Sequence, residues 1–113
     1  MKLNVAVFFG GESVEHEVSI ISAHQAMEAM DENKYHVIPV YVAKDRRLYC
    51  SDLLREMKNF KDLNALKNQC TQVVLVSEDN KVVIKPVKAK LFGAKDLGTI
   101  DVAIPVMHGT NGE

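Results

Sequence analysis

The chain has 113 residues, a length that suits one small domain with a single core. Apolar residues make up 47% and charged residues 26%, which argues against disorder, and the formal charge of -1 gives no electrostatic reason to expect nucleic acid or an anionic membrane as partner. No apolar run approaches the roughly 20 residues that cross a bilayer, and the N-terminal run is too short for a signal peptide. We therefore expect a cytosolic protein.

The first third of the chain predicts a strand, a helix and a second strand. The continuous apolar run 4–9 is typical of a strand buried on both faces, and Gly10-Gly11 bounds it. Ser13 is a candidate N-cap for a following helix of about 15 residues, in which apolar residues recur every three or four positions. A second strand over 36–42 completes a βαβ unit.

The rest of the chain predicts shorter elements and one further buried strand. Their expected bounds are a short strand over 47–50, a helix over 53–60, a hairpin of strands 72–76 and 81–87, a loop over 88–98 and a last strand over 101–107. Pro39 favours an edge, a bulge or an early position for the second strand. The alternation indicates an open α/β sheet flanked by helices, with the hairpin inserted.

Two segments place polar groups and glycines at the ends of predicted buried strands. They are residues 10–17 and 108–113. In open α/β sheets, ligands bind outside the carboxyl ends of the strands. If the first and last strands are parallel neighbours, both segments open into one crevice.

The first segment is similar to a phosphate-binding loop, but its charge is wrong for one. It lacks the Gly-Lys-Ser/Thr ending of a Walker A motif and the spacing of a dinucleotide fingerprint. Glu12, Glu15 and Glu17 would repel a pyrophosphate. They favour a cation or a ligand ammonium, since opposite charges ~4 Å apart attract by about 4 kcal/mol at an effective dielectric of about 20. The alternative for Glu15 is a first-turn glutamate that only complements the helix dipole.

The histidines and cysteines do not form a metal or redox motif. His16, His24 and His36 do not fit the H-E-x-x-H pattern, and solvated or structural roles are expected for the last two. His108 either supports the strand end or faces a ligand, where its imidazole would donate to a carboxylate. The cysteines match no zinc or redox spacing, and each is expected as a reduced thiol; they are Cys50 and Cys70. There is no nucleophile–base pair and no carboxylate dyad.

Together the two segments resemble the signatures of D-alanine–D-alanine ligases. Residues 5–19 are similar to the opening signature, a strand and Gly-Gly followed by x-Ser-x-Glu-His/Arg-Glu-Val-Ser. Residues 101–109 with Gly112-Glu113 are similar to the second, which normally continues with Asp-Gly. The middle, 45–98, carries no assigned motif. The resemblance implies that residues 1–113 form the N-terminal, substrate-binding domain, with a Rossmann-like and mostly parallel sheet.

The resemblance also implies a reaction. ATP-grasp ligases of this family phosphorylate the carboxylate of a first D-alanine, and the amine of a second attacks to give the dipeptide used in peptidoglycan. ATP and Mg2+ bind between central and C-terminal domains that this chain lacks. We therefore expect neither cofactor on these 113 residues, no ligase activity from them alone, and a homodimer at full length.

The resemblance carries roles onto particular residues. Glu15 is the expected catalytic residue because it holds the ammonium of the first D-alanine. Substrate binding is expected of Glu15, Val18, Ser19, His108 and Gly109. The structural loop is expected to contain Gly10, Gly11 and Ser13, with the glycines allowing close approach of the backbone.

Three alternatives remain open from the sequence. Two are D-alanyl-D-lactate and D-alanyl-D-serine ligases of the same family, because the determinants of the second substrate are not expected in this chain. The third is a non-catalytic Rossmann-like module that binds a nucleotide or a regulatory ligand. The chain ends in a loop-like stretch just after a strand, and we expect this end to be an interruption.

Overall fold

A computed structural model describes residues 2–11, 16–87 and 97–106, except for the side chain of His16. The strands in these ranges are β1 Leu3–Gly10, β2 Tyr35–Val42, β3 Leu48–Cys50, β4 Thr71–Glu78, β5 Lys81–Pro86, β6 Gly98–Ile100 and β7 Val102–Val106. The helices are α1 His16–Ala29 and α2 Leu63–Gln69. Two 3-10 turns, Asp52–Arg55 and Met57–Lys61, lie between β3 and α2. None of the helices described is long and apolar enough to span a membrane.

The strands form one mixed sheet in the order β6-β5-β4-β3-β2-β1-β7. β1 pairs in parallel with β2 on one side and β7 on the other, whereas the ladders from β2 through to β6 are antiparallel. The predicted α/β sheet with flanking helices and an inserted hairpin is confirmed. The expected predominance of parallel pairs is wrong outside β2, β1 and β7, where each described ladder is antiparallel. The β4–β5 turn is too tight for a parallel crossover, and the longer excursion over 51–70, with the 3-10 turns and α2, also brings the chain back in the opposite direction.

Pro39 lies in a central strand, contrary to the expected edge, bulge or early position. The β2–β3 ladder covers only Val40–Val42, so it begins just beyond the proline and needs no donor from it. Before that point, the Arg55 guanidinium donates to the carbonyl oxygen of Val37 at 2.6 Å. The end of a 3-10 turn therefore takes the place of a strand beside this part of β2.

The first of two cores lies between the helices and one face of the sheet. Its buried members come from β1, α1, β2, the first 3-10 turn and α2, and include Phe9, Ile20, Tyr41, Leu54 and Leu66. Phe9 packs against the rings of Tyr41 and Phe60, with centroids 5.9 Å away in both cases. This core fixes α1 against the central strand.

The second core consists of strand residues alone and lies on the opposite face. Its buried members are Ala6, Ile38, Val40, Cys50, Val73 and Ile84. The sheet bends so that β6 approaches β1, and a Cβ built on Gly98 would stand 3.4 Å from Ile38 Cδ1. The backbone amide of Asn4 donates to the Asp101 carboxylate at 2.7 Å, and the backbone amide of Asp101 donates to the backbone carbonyl of Asn4 at 2.9 Å. The sheet thus covers its own second face.

Both cysteines are free thiols, as predicted. Cys50 belongs to the second core and Cys70 packs against the first, so the two side chains pack on opposite faces of the sheet. Burial, with a smaller contribution from Cys70, raises the pKa of Cys50 from 9.0 to about 12. Burial also raises the pKa of Cys70, against a hydrogen bond from Ser51 that lowers it.

We expect native Cys50 to resist alkylation. A rise from 9.0 to about 12 leaves the folded thiol with about a thousandfold less thiolate at pH 8, and the thiolate is the reactive form. Iodoacetamide labelling at pH 8, followed by peptide mass spectrometry, should modify Cys50 far more slowly in the native protein than in urea. Cys70 is more exposed and serves as the internal control. Equal Cys50 rates in the two conditions would contradict its burial.

Candidate functional site at the carboxyl ends of β1 and β7

The carboxyl ends of β1 and β7 lie side by side. The two strands are parallel, with Phe9 opposite Val106 at the end of their ladder. Both strands therefore end at the same side of the sheet, which meets the condition that the sequence set for a shared crevice. β1 connects through α1 to β2 on one side, while β7 lies on its other side, so this edge is a topological switch point of the kind where α/β sheets bind ligands.

Backbone conformation requires the two glycines at the end of β1, the last residue of the strand and the residue after it. Gly10 has φ 101° and Gly11 has φ 94°, in a region that residues with a Cβ rarely adopt. The Gly11 amide donates to the carbonyl of Val42 at 2.8 Å, continuing the contact with β2 for one residue beyond the strand. Gly10-Gly11 thus turns the chain out of the sheet at the candidate site.

Ser19 joins three elements at this edge. It lies in the second turn of α1 with no exposed surface. Its hydroxyl accepts from the Gly10 amide at 2.8 Å and donates to the carbonyl of Val106. A single side chain therefore bonds to the end of β1 and the end of β7, and both of its hydrogen-bonding functions are used by the backbone.

Val18 differs from Ser19 in being open to solvent. Its side chain is 51% exposed, and Ile21, three residues on, is 48% exposed. Glu17 is also exposed in the first turn of α1. The start of α1 therefore offers apolar and acidic surface next to the glycine turn. The remaining predicted site residues lie outside the described ranges: Glu12, Ser13, Glu15, His108 and Gly109.

His24 has a structural place in the first core, as predicted. It is 7% exposed, and its ring nitrogens lie 2.7 Å and 2.8 Å from the carbonyl oxygens of Ile20 and Leu54. Its ring also packs edge-on against Phe60, with centroids 5.3 Å apart. His24 thus ties α1 to the first 3-10 turn.

A separate open cleft of about 770 Å³ lies over β3, β4 and α2. Its lining is mainly polar and includes Arg47, Tyr49, Lys67 and Gln72. In the strand order, β2 separates this region from the β1–β7 edge. Arg47 pairs with Asp45 at 3.6 Å, and both are well exposed, so that pair contributes little to stability. The sequence carries no assigned motif in this stretch.

Metal ligation receives no support from the part of the chain that the structure describes. Within those residues, no three His, Cys, Asp or Glu side chains are grouped as a cation would require. The described part of the site consists of the carboxyl ends of β1 and β7, a glycine turn, and a serine that bonds to both strand ends. Acidic and apolar side chains are exposed next to it at the start of α1. These features suit a small organic ligand, with no described phosphate-binding donors.

The fold and this edge define the chain as an α/β domain of the kind that binds ligands at strand ends. It matches the family model described as "D-ala D-ala ligase N-terminus" over residues 4–113, and it belongs to that family.

Relatives and solved structures agree with this membership. The chain is 39% identical over 112 residues to a D-alanine–D-alanine ligase of Thermosipho melanesiensis, covering 98% of this chain and 29% of the relative. It is 40% identical over 118 residues to one of Caldicellulosiruptor bescii, covering 99% and 29%. The structure of the Coxiella burnetii D-alanine–D-alanine ligase superimposes with a TM-score of 0.77 at 25% identity, covering 99% of this chain and 30% of that one. For the VanG D-Ala:D-Ser ligase of Enterococcus faecalis the TM-score is 0.68 at 27% identity, covering 100% and 31%.

Proposed function

We propose that this chain is the N-terminal, substrate-binding domain of an ATP-dependent ligase that joins two D-alanines for peptidoglycan synthesis. The chain spans about 30% of the length of the curated relatives that it matches, so the activity belongs to a longer protein. The observation that supports the proposal most is the pairing of the two ligase signatures. They follow parallel neighbouring strands and leave the sheet at one edge.

In this proposal the domain holds the first D-alanine. Glu15 binds its ammonium, in a segment whose other acids, Glu12 and Glu17, also favour a cation. His108 and Gly109, from the second signature, are assigned to the carboxylate end of the same D-alanine. Val18 contributes apolar surface, which its exposure at the start of α1 allows.

ATP and Mg2+ are assigned to the central and C-terminal domains of the longer protein. ATP supplies the phosphoryl group that activates the carboxylate of the first D-alanine. The residues described here offer no cluster suited to Mg2+, and we assign no step of phosphoryl transfer to them. The domain's part in the reaction is to bind and orient one substrate, so we expect these 113 residues alone to form no dipeptide. Its partners are D-alanine, the protein's other domains and a second subunit.

The test is to supply the full-length protein with D-alanine, ATP and Mg2+. We expect D-alanyl-D-alanine by mass spectrometry, with one ADP and one phosphate released for each dipeptide. Omission of D-alanine is the control for uncoupled ATP hydrolysis. ATP turnover that yields no dipeptide would exclude the proposed reaction.

A second candidate shares the first half of the reaction and differs in the second substrate. The VanG D-Ala:D-Ser ligase has the same fold in this region at 27% identity, slightly above the value for the Coxiella burnetii enzyme. Competing D-serine and D-lactate against D-alanine in the full-length protein distinguishes these products. A non-catalytic nucleotide module would instead show tight ATP binding by the 113 residues alone.

A further inference from the structure

Both ring nitrogens of His24 face hydrogen-bond acceptors. Nδ1 lies 2.7 Å from the carbonyl oxygen of Ile20, one turn earlier in α1, and Nε2 lies 2.8 Å from the carbonyl oxygen of Leu54 in the first 3-10 turn. A carbonyl oxygen can only accept a hydrogen bond. A neutral imidazole carries a single N–H, so it can satisfy one of these carbonyls and must turn a lone pair toward the other.

The surroundings of the ring offer a neutral imidazole no better arrangement. His24 is 7% exposed, and the rings of Phe9 and Phe60 that pack against it carry no N–H or O–H group. Rotating the imidazole by half a turn would place carbon atoms against both carbonyls and give up both hydrogen bonds. Distances of 2.7 and 2.8 Å are also typical of charge-assisted hydrogen bonds. Only a doubly protonated ring donates to both carbonyls.

We infer that His24 is an imidazolium in the folded protein, and that its two N–H groups form a proton-dependent clamp between α1 and the first 3-10 turn. Loss of one proton turns a nitrogen lone pair toward a carbonyl oxygen and leaves the clamp with one hydrogen bond. Because the folded state favours the charged ring, the stability that the clamp contributes is fully present below about pH 6.5, where an unfolded histidine is charged as well. It declines as the pH rises further.

The charged and titratable groups on the elements around His24 do not replace either carbonyl, since no described hydrogen bond or ion pair joins any of them to the ring. Asp52 and Arg55, which flank Leu54 in the sequence, pair with each other at 3.1 Å, so their charges largely offset each other. Burial, with smaller contributions from Asp45 and Tyr49, raises the pKa of Tyr41 to about 12 and keeps that side chain neutral. The described groups are Glu17 and Glu28 on α1, Asp52 and Arg55 on the first 3-10 turn, Lys58 and Lys61 on the second, Glu56 between the two turns, and His36 and Tyr41 on β2.

The clamp holds a turn that supports β2. Leu54 is fully buried in the first core, and the guanidinium of the next residue, Arg55, donates to the carbonyl of Val37 at 2.6 Å. Weakening the bond from His24 to the Leu54 carbonyl therefore loosens a turn that both fills the core and lies beside β2. We expect this turn to open locally more often as the pH rises.

NMR of the full-length protein, with histidine labelled by 13C at Cε1, reports the charge of the ring directly. The His24 signal is identified by its proximity to the Phe60 ring. We expect His24 to be an imidazolium in the folded protein at pH 7.5. In urea it should be about nine-tenths neutral at that pH, because an unfolded histidine titrates at about pH 6.5. A neutral His24 in the folded protein at pH 7.5 would overturn the inference.

Limited digestion with trypsin measures the opening of the turn. Cleavage after Arg55, corrected for the rate on an unstructured peptide at each pH, should be about tenfold faster at pH 8.5 than at pH 6.5, the effect of one lost hydrogen bond. His24→Gln keeps an amide donor but does not titrate, so its corrected rate should change by less than about twofold. His36→Gln is the matched control, because it removes an exposed histidine and should behave as the wild type does.

Equal pH dependence of cleavage in His24→Gln and the wild type would refute the clamp, as would a wild-type rate that does not change with pH. If His24→Gln does not fold, the NMR measurement on the wild-type protein still decides the inference. Neither readout depends on ligase activity, so both remain valid whatever reaction the longer protein catalyses.

Discussion

Replacing Glu15 by glutamine in the full-length protein is expected to lower kcat/KM for the first D-alanine at least about thirtyfold. This is the effect of about 2 kcal/mol or more, the usual loss when one partner of a desolvated charge pair is truncated. The amide keeps the shape of the side chain but loses one acceptor oxygen and the charge that, in the proposed function, attracts the substrate ammonium. Initial rates of dipeptide formation over a range of D-alanine concentrations measure the effect.

Glu17→Gln is the matched control for that experiment. It removes the same charge from the same acidic stretch, two residues away, and Glu17 is exposed in the first turn of α1. An effect below about threefold is expected, in line with a surface charge near a helix start. Equal effects of the two variants would mean that only the overall negative potential matters, and would contradict a specific role for Glu15.

Replacing Phe9 by alanine is expected to be the most destabilising core change. The side chain is fully buried in β1, beside both Tyr41 and Phe60 and edge-on to His24. Truncation of a buried phenylalanine costs about 3–5 kcal/mol of unfolding free energy, because transfer energy is lost and a cavity is left. Urea unfolding followed by circular dichroism measures the change.

Leu3→Ala is the control in the same strand. Leu3 is 47% exposed at the start of β1, so Leu3→Ala should lower the unfolding free energy by well under half as much as Phe9→Ala does. A Phe9→Ala loss no larger than that of Leu3→Ala would contradict a tightly packed core between α1 and the sheet.

The parts of the fold that sequence predicted well are those with a strong, continuous pattern. The apolar runs of β1 and β2 are largely buried in the sheet, and the helix between them follows from its three- and four-residue spacing. The run of β7 does form a strand, but the expected burial is wrong, because β7 lies at the edge of the sheet and its residues are exposed or only partly buried. The condition that the sequence set for a shared crevice, that the first and last strands be parallel neighbours, is met by β1 and β7. The roles predicted for Glu15, His108 and Gly109 remain predictions.

Short elements were predicted less well because tertiary contacts decide them. The expected helix over 53–60 is split into two 3-10 turns, and α2 follows at Leu63–Gln69, where none was predicted. A signal for α2 was present: Asp62 caps the helix by accepting from the Ala65 amide at 3.1 Å. β6 falls at the end of the expected loop over 88–98 and exists through its pairing with β5, a contact that local sequence does not encode.

The hydrogen bonds of Ser19 to both strand ends could not be predicted from sequence for a related reason. A serine inside a helix has several ordinary uses, and its distinction here depends on a carbonyl 87 positions later in the chain.

The pairing of Asn4 with Asp101 has a consequence for the order in which the protein is made. The two residues are 97 positions apart, and β1, synthesised first, lies between β2 and a strand synthesised last. While the ribosome is still translating the middle of the chain, β1 can gain β2 through the local βαβ contacts but has no partner on its other side. The antiparallel strands β3, β4 and β5 are joined through the 3-10 turns and α2 and through the tight turn after β4, and they can pair in the meantime. The strand ends of the candidate site can come together only after Val106 has left the exit tunnel, so this part of the sheet is completed late in the synthesis of the domain.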